Sequence, residues 1–211
     1  MQLIKINKLS KVASLVALLC VGGCATNQLP QATIHASKTT DISDYKYLIG
    51  PGDSLNIFVW RNPEISGTFV VRPDGKITTS LVEDIDVSGK TPTELARNVE
   101  QILATYIKDP IVTVSVGGFV GPYSEQVRVI GQAASPQAIN YRENMTLLDL
   151  MVQVGGLTQF ADGDSAKLVR VVSGQQQTYN IRIDSLINDG DISANVDLLP
   201  GDIVIIPEAW F

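Results

Sequence analysis

The tripeptide Pro-Gly-Asp occurs twice in this chain, each time directly before a short apolar run. The first copy lies in YLIGPGDSLNIFVW (residues 47–60) and the second in LLPGDIVIIP (residues 198–207). In such a turn Pro fixes φ, Gly accepts unusual backbone angles, and Asp can accept hydrogen bonds from backbone amides two residues on. Each copy therefore predicts a structural turn that begins a core strand of its own small domain. The turn residues are Gly50, Pro51, Gly52 and Asp53, and then Pro200, Gly201 and Asp202.

The first 24 residues predict a secreted lipoprotein. A head with three lysines precedes an apolar stretch over residues 12–23, which is typical of a signal peptide and too short for a stable membrane span. Small residues before Cys24 match the bacterial lipobox, so we expect a signal peptide over residues 1–23 and a lipid on the Cys24 thiol. By analogy with bacterial lipoproteins, Ala25 favours the outer membrane. An ordinary signal peptide with an incidental Cys is the alternative.

Composition excludes several classes of function. The chain has 16 Lys and Arg against 22 Asp and Glu, and cleavage would remove three lysines and no acid, which leaves a net charge of −9. Nucleic acid is bound by clustered positive charge, so no nucleic-acid partner is expected. Cys20 leaves with the signal peptide, Cys24 is acylated, and His35 is the only histidine. We therefore expect no metal site, no cofactor and no His-based nucleophile.

The mature chain divides into a tether and two folded units. Residues 24–44 are polar without a regular period and predict a flexible tether. A first unit is expected over residues 45–118 and a second over residues 127–211, with a glycine-containing junction over residues 119–126. Both units combine several strands with a helix, so the predicted fold class is α+β, with two small domains.

Strand patterns begin the first unit. Leu55, Ile57 and Val59 alternate with other residues, which is the period of a β-strand with one buried face. The segment TFVVRPDGKITTS then predicts a hairpin with Val70 and Ile77 on either side of its turn. The predicted turn residues are Pro73, Asp74 and Gly75.

A helix with clear start signals follows in the first unit. Thr91 is the predicted N-cap, Pro92 takes the first helical position, and Glu94 completes a capping box. We expect Asp109 and Pro110 to end the helix. The residues predicted on its buried face are Leu95, Val99, Ile102, Leu103 and Tyr106.

The second unit has one predicted helix among several strands. Thr146 caps the helix with Asp149 at the third position, and Gly155-Gly156 closes it. The buried stripe is predicted to contain Leu147, Leu148, Met151 and Val152. Two strands, AKLVRVV and QTYNIRI, are expected about the loop VSGQQQ, and LLPGDIVIIP supplies a final central strand. This pattern predicts a small α+β unit of the β-grasp kind.

These motifs together resemble a known family. The segments YLIGPGDSLNIFVWRNPEISGTFVVRPDGKI and ELARNVEQILATYIKDPIVTVSV resemble the polysaccharide export domain of Wza-type outer-membrane lipoproteins. The segments VRVIGQAASPQAINYRENMTLLDLMVQVGGLTQFAD and LLPGDIVIIPE resemble the soluble-ligand-binding β-grasp (SLBB) domain that follows it in that family. The resemblance covers about residues 45–208, and short versions with one SLBB unit also occur beside exosortase-type exopolysaccharide loci.

The resemblance implies a transport component that performs no bond chemistry. Its expected role is a homo-oligomeric ring below the outer membrane, lipid-anchored and facing the periplasm, which conducts exopolysaccharide and works with an inner-membrane polysaccharide co-polymerase. Longer family members end in an amphipathic helix that forms the membrane pore, whereas only four residues follow Pro207 here. We therefore expect a separate outer-membrane β-barrel as a partner. Trp210 and Phe211 are expected either at lipid headgroups or that partner, or over the protein's own core.

Two other functions stay open at this level. One is a monomeric periplasmic scaffold lipoprotein that holds glycan or a partner protein with its β-grasp unit. The other is a glycan hydrolase, because Glu83, Asp84 and Asp86 lie close together and glycosidases use paired carboxylates. Residues one or two positions apart do not by themselves flank a substrate from opposite sides, so a solvated acidic turn is the favoured interpretation.

Overall fold

The structure, a computed structural model, describes residues 35–39, 43 and 45–210, so the predicted signal peptide, Cys24 and Phe211 lie outside the described residues. The strands are β1 (Ser54–Val59), β2 (Gly67–Val70), β3 (Lys76–Ile77), β4 (Ile85–Asp86), β5 (Val112–Gly117), β6 (Gln126–Gly131), β7 (Ala138–Asn140), β8 (Lys167–Val172), β9 (Gln175–Asn180) and β10 (Ile203–Ile206). The α-helices are α1 (Pro92–Leu103), α2 (Leu147–Val154) and α3 (Ile183–Ile187), and the short 3-10 helices are Pro63–Ile65, Tyr123–Glu125, Gly163–Ser165 and Ile192–Ala194.

Two hydrophobic cores lie in sequence order, which confirms the predicted α+β class with two domains. In the first domain the antiparallel sheet β2-β1-β5 packs against α1. Leu55, Ile57 and Val59 point from β1 into this core and are almost fully buried, as their alternation predicts. The second core lies under a mixed sheet of order β7-β6-β10-β8-β9, covered by α2 and its neighbours.

The predicted hairpin around Pro73 is only partly right. Its turn forms, because the amide of Gly75 donates to the Arg72 carbonyl at 2.9 Å and Gly75 adopts a φ of 79°. Its two strands, however, belong to different sheets: β2 pairs with β1, whereas β3 pairs with β4. The pairing of β3 with β4 places Ile77 beside Ile85, and both side chains are buried in the core. Long-range burial therefore decides the strand partners here.

Helix α1 starts as predicted and ends earlier. Thr91 and Glu94 form the capping box, with each side chain bonded to the other residue's backbone amide. The helix stops at Leu103 instead of Asp109, and Tyr106 is 64% exposed beyond it, so its predicted place on the buried face is wrong. The helix end is set by β5: Glu100 accepts from the amide of Val112 at 2.9 Å, so the chain must turn back soon after Leu103.

The central position of the last strand is confirmed in the second domain. β10 lies between β6 and β8, parallel to β6 and antiparallel to β8. The predicted loop VSGQQQ is too long, because β8 and β9 are joined by Ser173 and Gly174 alone, with φ of 51° and 77°. Positive φ at both central residues gives the tight turn that matches strand twist, so the glutamines belong to β9.

The caps of α2 are predicted correctly and its buried face is not. Thr146 and Asp149 form the capping box, and Gly155 ends the helix in the left-handed conformation. The buried residues are Leu147, Leu150, Met151 and Val154, which follow the i, i+3, i+4, i+7 pattern. Val152 is 73% exposed, so the predicted stripe was rotated by about one residue. None of the helices among residues 35–39, 43 and 45–210 has the length and apolar character needed to cross a bilayer.

The C-terminal Trp210 is 98% exposed. It therefore does not cover the protein's own core, which removes one of the two expectations for this residue. The other expectation, contact with lipid headgroups or a partner, stays a prediction.

The corrected face of α2 gives a direct test. We expect Leu150→Ala to lower the free energy of unfolding by about 2–5 kcal/mol, because it removes a fully buried side chain from the second core. The control Val152→Ala on the same helix should change it by less than about 0.5 kcal/mol. Urea unfolding followed by circular dichroism measures both. Equal destabilisation by the two variants would contradict this assignment of the buried face.

Candidate functional site

The carboxylate of Asp53, in the first Pro-Gly-Asp turn, is fully buried and ties β1 to the domain junction. One oxygen accepts from the Tyr47 hydroxyl at 2.5 Å and from the Gly50 amide at 2.9 Å. The other accepts from the amides of Val120 at 2.6 Å and Gly121 at 3.3 Å. The Asp53 carboxylate thus bonds to two residues, Val120 and Gly121, that lie 67 and 68 positions farther along the sequence. Burial of a carboxylate requires such bonds, because an unsatisfied charge would cost several kcal/mol.

Close packing around this carboxylate explains two further residues. A side chain at Gly50 would place its Cβ 2.0 Å from the carbonyl carbon of Gly121, so only glycine fits there. Burial, followed by the bond to the Asp53 carboxylate, raises the pKa of Tyr47, so its hydroxyl remains a donor. Pro51 and Gly52 lie in the turn itself, and Gly52 has a φ of 92°.

The second Pro-Gly-Asp turn uses its aspartate differently. Asp202 is also fully buried, but its carboxylate forms two bonds to the Arg170 guanidinium, at 2.8 Å and 2.6 Å. It also accepts from the Leu199 amide at 2.7 Å. A Cβ on Gly201 would lie 2.7 Å from the Ser124 carbonyl oxygen, so this turn packs against the junction as well. The two copies of the motif therefore lie against the same linking segment.

The predicted bonding of the turn aspartates needs a correction. Asp53 and Asp202 each accept from the amide three residues before them, not from amides two residues on. Their other partners come from elsewhere in the chain. The third turn is different again, because Asp74 is exposed and pairs with the neighbouring Arg72. Pro73 and Gly75 lie with it in a surface turn.

Part of the predicted flexible tether is bound to the junction. Glu125 is buried, and its carboxylate accepts from the Ser37 hydroxyl at 2.7 Å and the Lys38 amide at 3.1 Å. The Lys38 ammonium donates to the Gly89 carbonyl at 2.6 Å. Ser37 and Lys38 are therefore bonded to the two domains, whereas a flexible tether over residues 24–44 stays a prediction.

Tyr45 also joins the two domains. It begins the predicted first unit, yet its ring packs edge-on against Tyr141 of the second core, with centroids 5.0 Å apart. Burial is the largest cause that raises the pKa of Tyr45 to about 12, so the phenol is neutral at ordinary pH. This contact could not be predicted from the sequence, because Tyr45 and Tyr141 are far apart in the chain and neither belongs to a periodic segment.

We call the contact between the two domains, formed by the junction (residues 119–126) and by the packing of Tyr45 on Tyr141, the seam. A cleft of about 470 Å³ opens between the two domains beside the seam. Phe119 projects at its edge with a φ of 49°, a strained value for a bulky residue. Its ring packs edge-on against Tyr47 with centroids 5.5 Å apart, and its carbonyl accepts from the Asn140 side chain at 2.6 Å. The lining residues are Tyr45, Tyr47, Gly118, Phe119, Ile139, Asn140, Tyr141, Arg142, Glu143 and Gln153. Such a surface can bind a ligand through aromatic rings and hydrogen bonds.

The acidic turn does not form a comparable site. Asp84 forms an ion pair with Arg72 at 2.6 Å, and Asp86 lies 3.5 Å from the ammonium of Lys76. Two of the three carboxylates therefore pair with cations on the surface of the first domain. Within the part of the chain that the structure describes, no group of three or more His, Cys, Asp or Glu side chains is placed to hold a metal ion.

Two family models match the chain in tandem. Residues 41–117 match the model described as polysaccharide biosynthesis/export protein, and residues 125–206 match the SLBB domain. The two matches meet at the junction that the Asp53 carboxylate holds.

Curated relatives agree with these matches. The chain is 29% identical over 187 residues to the EPS I polysaccharide export outer membrane protein EpsA of Ralstonia nicotianae, an alignment that covers 77% of this chain and 47% of the relative. It is 26% identical to the exopolysaccharide production protein ExoF of Rhizobium meliloti, over 66% of this chain and 35% of the relative. It is 25% identical to the polysialic acid transport protein KpsD of Escherichia coli, over 73% and 33%. The chain spans about half the length of the EpsA proteins it matches.

The buried carboxylate of Asp53 predicts a large effect of a small change. We expect Asp53→Asn to lower the free energy of unfolding by about 2–4 kcal/mol, because an amide cannot accept on both sides and bonds to a charged group contribute about 1.5–3 kcal/mol each. The matched control is Asp74→Asn in the exposed turn, where a surface ion pair contributes about 0–1 kcal/mol. Urea unfolding of the purified protein measures both. A small effect of Asp53→Asn would show that the junction does not depend on this carboxylate.

Proposed function

Because residues 41–117 match the model described as polysaccharide biosynthesis/export protein and residues 125–206 match the SLBB domain, we propose that the chain is a component of an outer-membrane exopolysaccharide export channel. In this proposal the protein is anchored by a lipid on Cys24, faces the periplasm and performs no bond chemistry. The observation that carries the proposal is the tandem match to the two domain models, and relatives whose alignments cover about three quarters of this chain are named as polysaccharide export or transport proteins.

The geometry of the junction supports a passive structural role. A ring wall is built from copies of one unit around an axis, which requires each unit to keep a fixed shape. Asp53 and Glu125 are buried carboxylates that fix the junction to β1 and to the segment before Tyr45. Both use their charge to hold backbone in place. This use of buried charge fits a conduit better than an enzyme.

The proposal includes partners as well as a place. Copies of this chain form a ring, an inner-membrane polysaccharide co-polymerase supplies polymer, and a separate outer-membrane β-barrel takes it onward. A monomeric scaffold lipoprotein is the second candidate, which the interdomain cleft supports. Self-association separates the two candidates.

Export is tested in a deletion strain of the producing bacterium. We expect exopolysaccharide to disappear from the cell surface on deletion, and wild-type protein to restore it. Cys24→Ser should fail to restore it, because the protein would lose its anchor. Cys20→Ser is the matched control and should restore surface polymer, since this residue is removed with the signal peptide. Unchanged surface polymer after deletion would contradict a role in export.

The ring is tested by mass. We expect the protein extracted in mild detergent and then cross-linked to have several times the mass of one chain, measured by light scattering. A single-chain mass at every detergent concentration would favour the monomeric scaffold.

A further inference from the structure

The cleft between the domains combines two features of a ligand site. Its volume of about 470 Å³ lies within the range of about 300–1,000 Å³ that is usual for small-molecule sites. Both domains contribute to its walls, Tyr47 and Phe119 from the first domain and junction, and Asn140 and Gln153 from the second. Sites of this kind are common at domain interfaces.

On the aromatic side of the cleft, the backbone of Phe119 is strained. Phe119 is 57% exposed although it is a large apolar residue, and its φ of 49° is one that bulky side chains avoid. Two bonds keep the backbone in this conformation: Asn140 donates to the Phe119 carbonyl, and the amide of the next residue, Val120, donates to Asp53. Strain of this kind persists where the surroundings enforce it, and it is concentrated at ligand sites.

The polar side of the cleft has groups that are free to bind. Among the described residues, the side chains of Arg142, Glu143 and Gln153 form no hydrogen bond or ion pair. Together they present hydrogen-bond donors and acceptors, both charged (Arg142 and Glu143) and neutral (Gln153). The single positive and single negative charge cancel, so the cleft lacks the concentrated positive charge that would select a phosphate or a polyanion.

These features indicate the chemical class of the ligand. A sugar ring has an apolar face of C–H groups, which packs on an aromatic ring, and a rim of hydroxyls, which bond to amide, guanidinium and carboxylate groups. A lipid chain would leave the polar groups unpaired, and a nucleotide would lack a phosphate cradle. We propose that the interdomain cleft binds a short segment of a carbohydrate chain, with Phe119 as the stacking surface and Arg142, Glu143 and Gln153 as hydroxyl partners.

The proposed site adds carbohydrate binding to the proposed export function. It rests on that function only for the source of the carbohydrate. Binding there would place the polymer against residues from both domains. It would also be limited in strength, because the cleft is open and its charged groups remain solvated. Such a site guides a moving chain without retaining it.

Binding is tested with the full chain purified in detergent. The probe is a set of oligosaccharides released by partial hydrolysis of the producing cell's own exopolysaccharide, titrated by saturation-transfer difference NMR. We expect Phe119→Gly to weaken binding about tenfold, since it removes one stacked ring. Glycine accepts the positive φ at this position, so the variant should fold. The matched control Phe58→Ala removes an exposed aromatic side chain from β1 outside the cleft and should bind as wild type does.

Gln153→Ala gives a second measurement on the other wall of the cleft. It should weaken binding without affecting folding, because Gln153 is exposed on α2. Failure of wild-type protein to bind, or equal binding by all variants, overturns the proposed site.

The deletion strain separates the site from the export function. Normal export together with no oligosaccharide binding overturns the cleft and leaves the export role. Oligosaccharide binding that Phe119→Gly weakens, together with unchanged surface polymer on deletion, overturns the export role and supports the cleft.

Discussion

The buried carboxylate of Asp53 is the interaction on which the arrangement of the two domains depends. It receives a phenol hydroxyl and three backbone amides, two of them from the junction. A buried charge is tolerated only when its bonds are made, so the first domain cannot complete its own turn unless residues 120 and 121 are in place. One side chain thereby couples the local turn to the linker between domains.

Further contacts along the seam hold the junction in place. Glu125 binds the segment that precedes the first domain, and Gly201 brings the second Pro-Gly-Asp turn against Ser124. Tyr45 packs across onto Tyr141. The junction is thus held from both sides, by charge-assisted bonds and by close backbone contact. The cleft and the strained Phe119 are consequences of this rigid seam, because a loose linker would relax the positive φ.

The carboxylates of this protein have different partners at the seam and on the surface of the first domain. At the seam, buried carboxylates order backbone, whereas the acidic turn of the first domain pairs its carboxylates with surface cations. The cleft residues Arg142, Glu143 and Gln153 are exposed and form no side-chain hydrogen bond or ion pair among the described residues.

The sequence by itself determined the features that depend on neighbouring residues. The two capping boxes, the left-handed glycine after α2, the alternation of β1 and the turn around Gly75 were all predicted, because their bonds span only a few positions. The tertiary structure alone decided the partners of β2 and β3, the early end of α1, the buried face of α2 and the bonds of Asp53 to Val120 and Gly121. These features depend on contacts between distant segments, which compete with local preference and leave no period in the sequence.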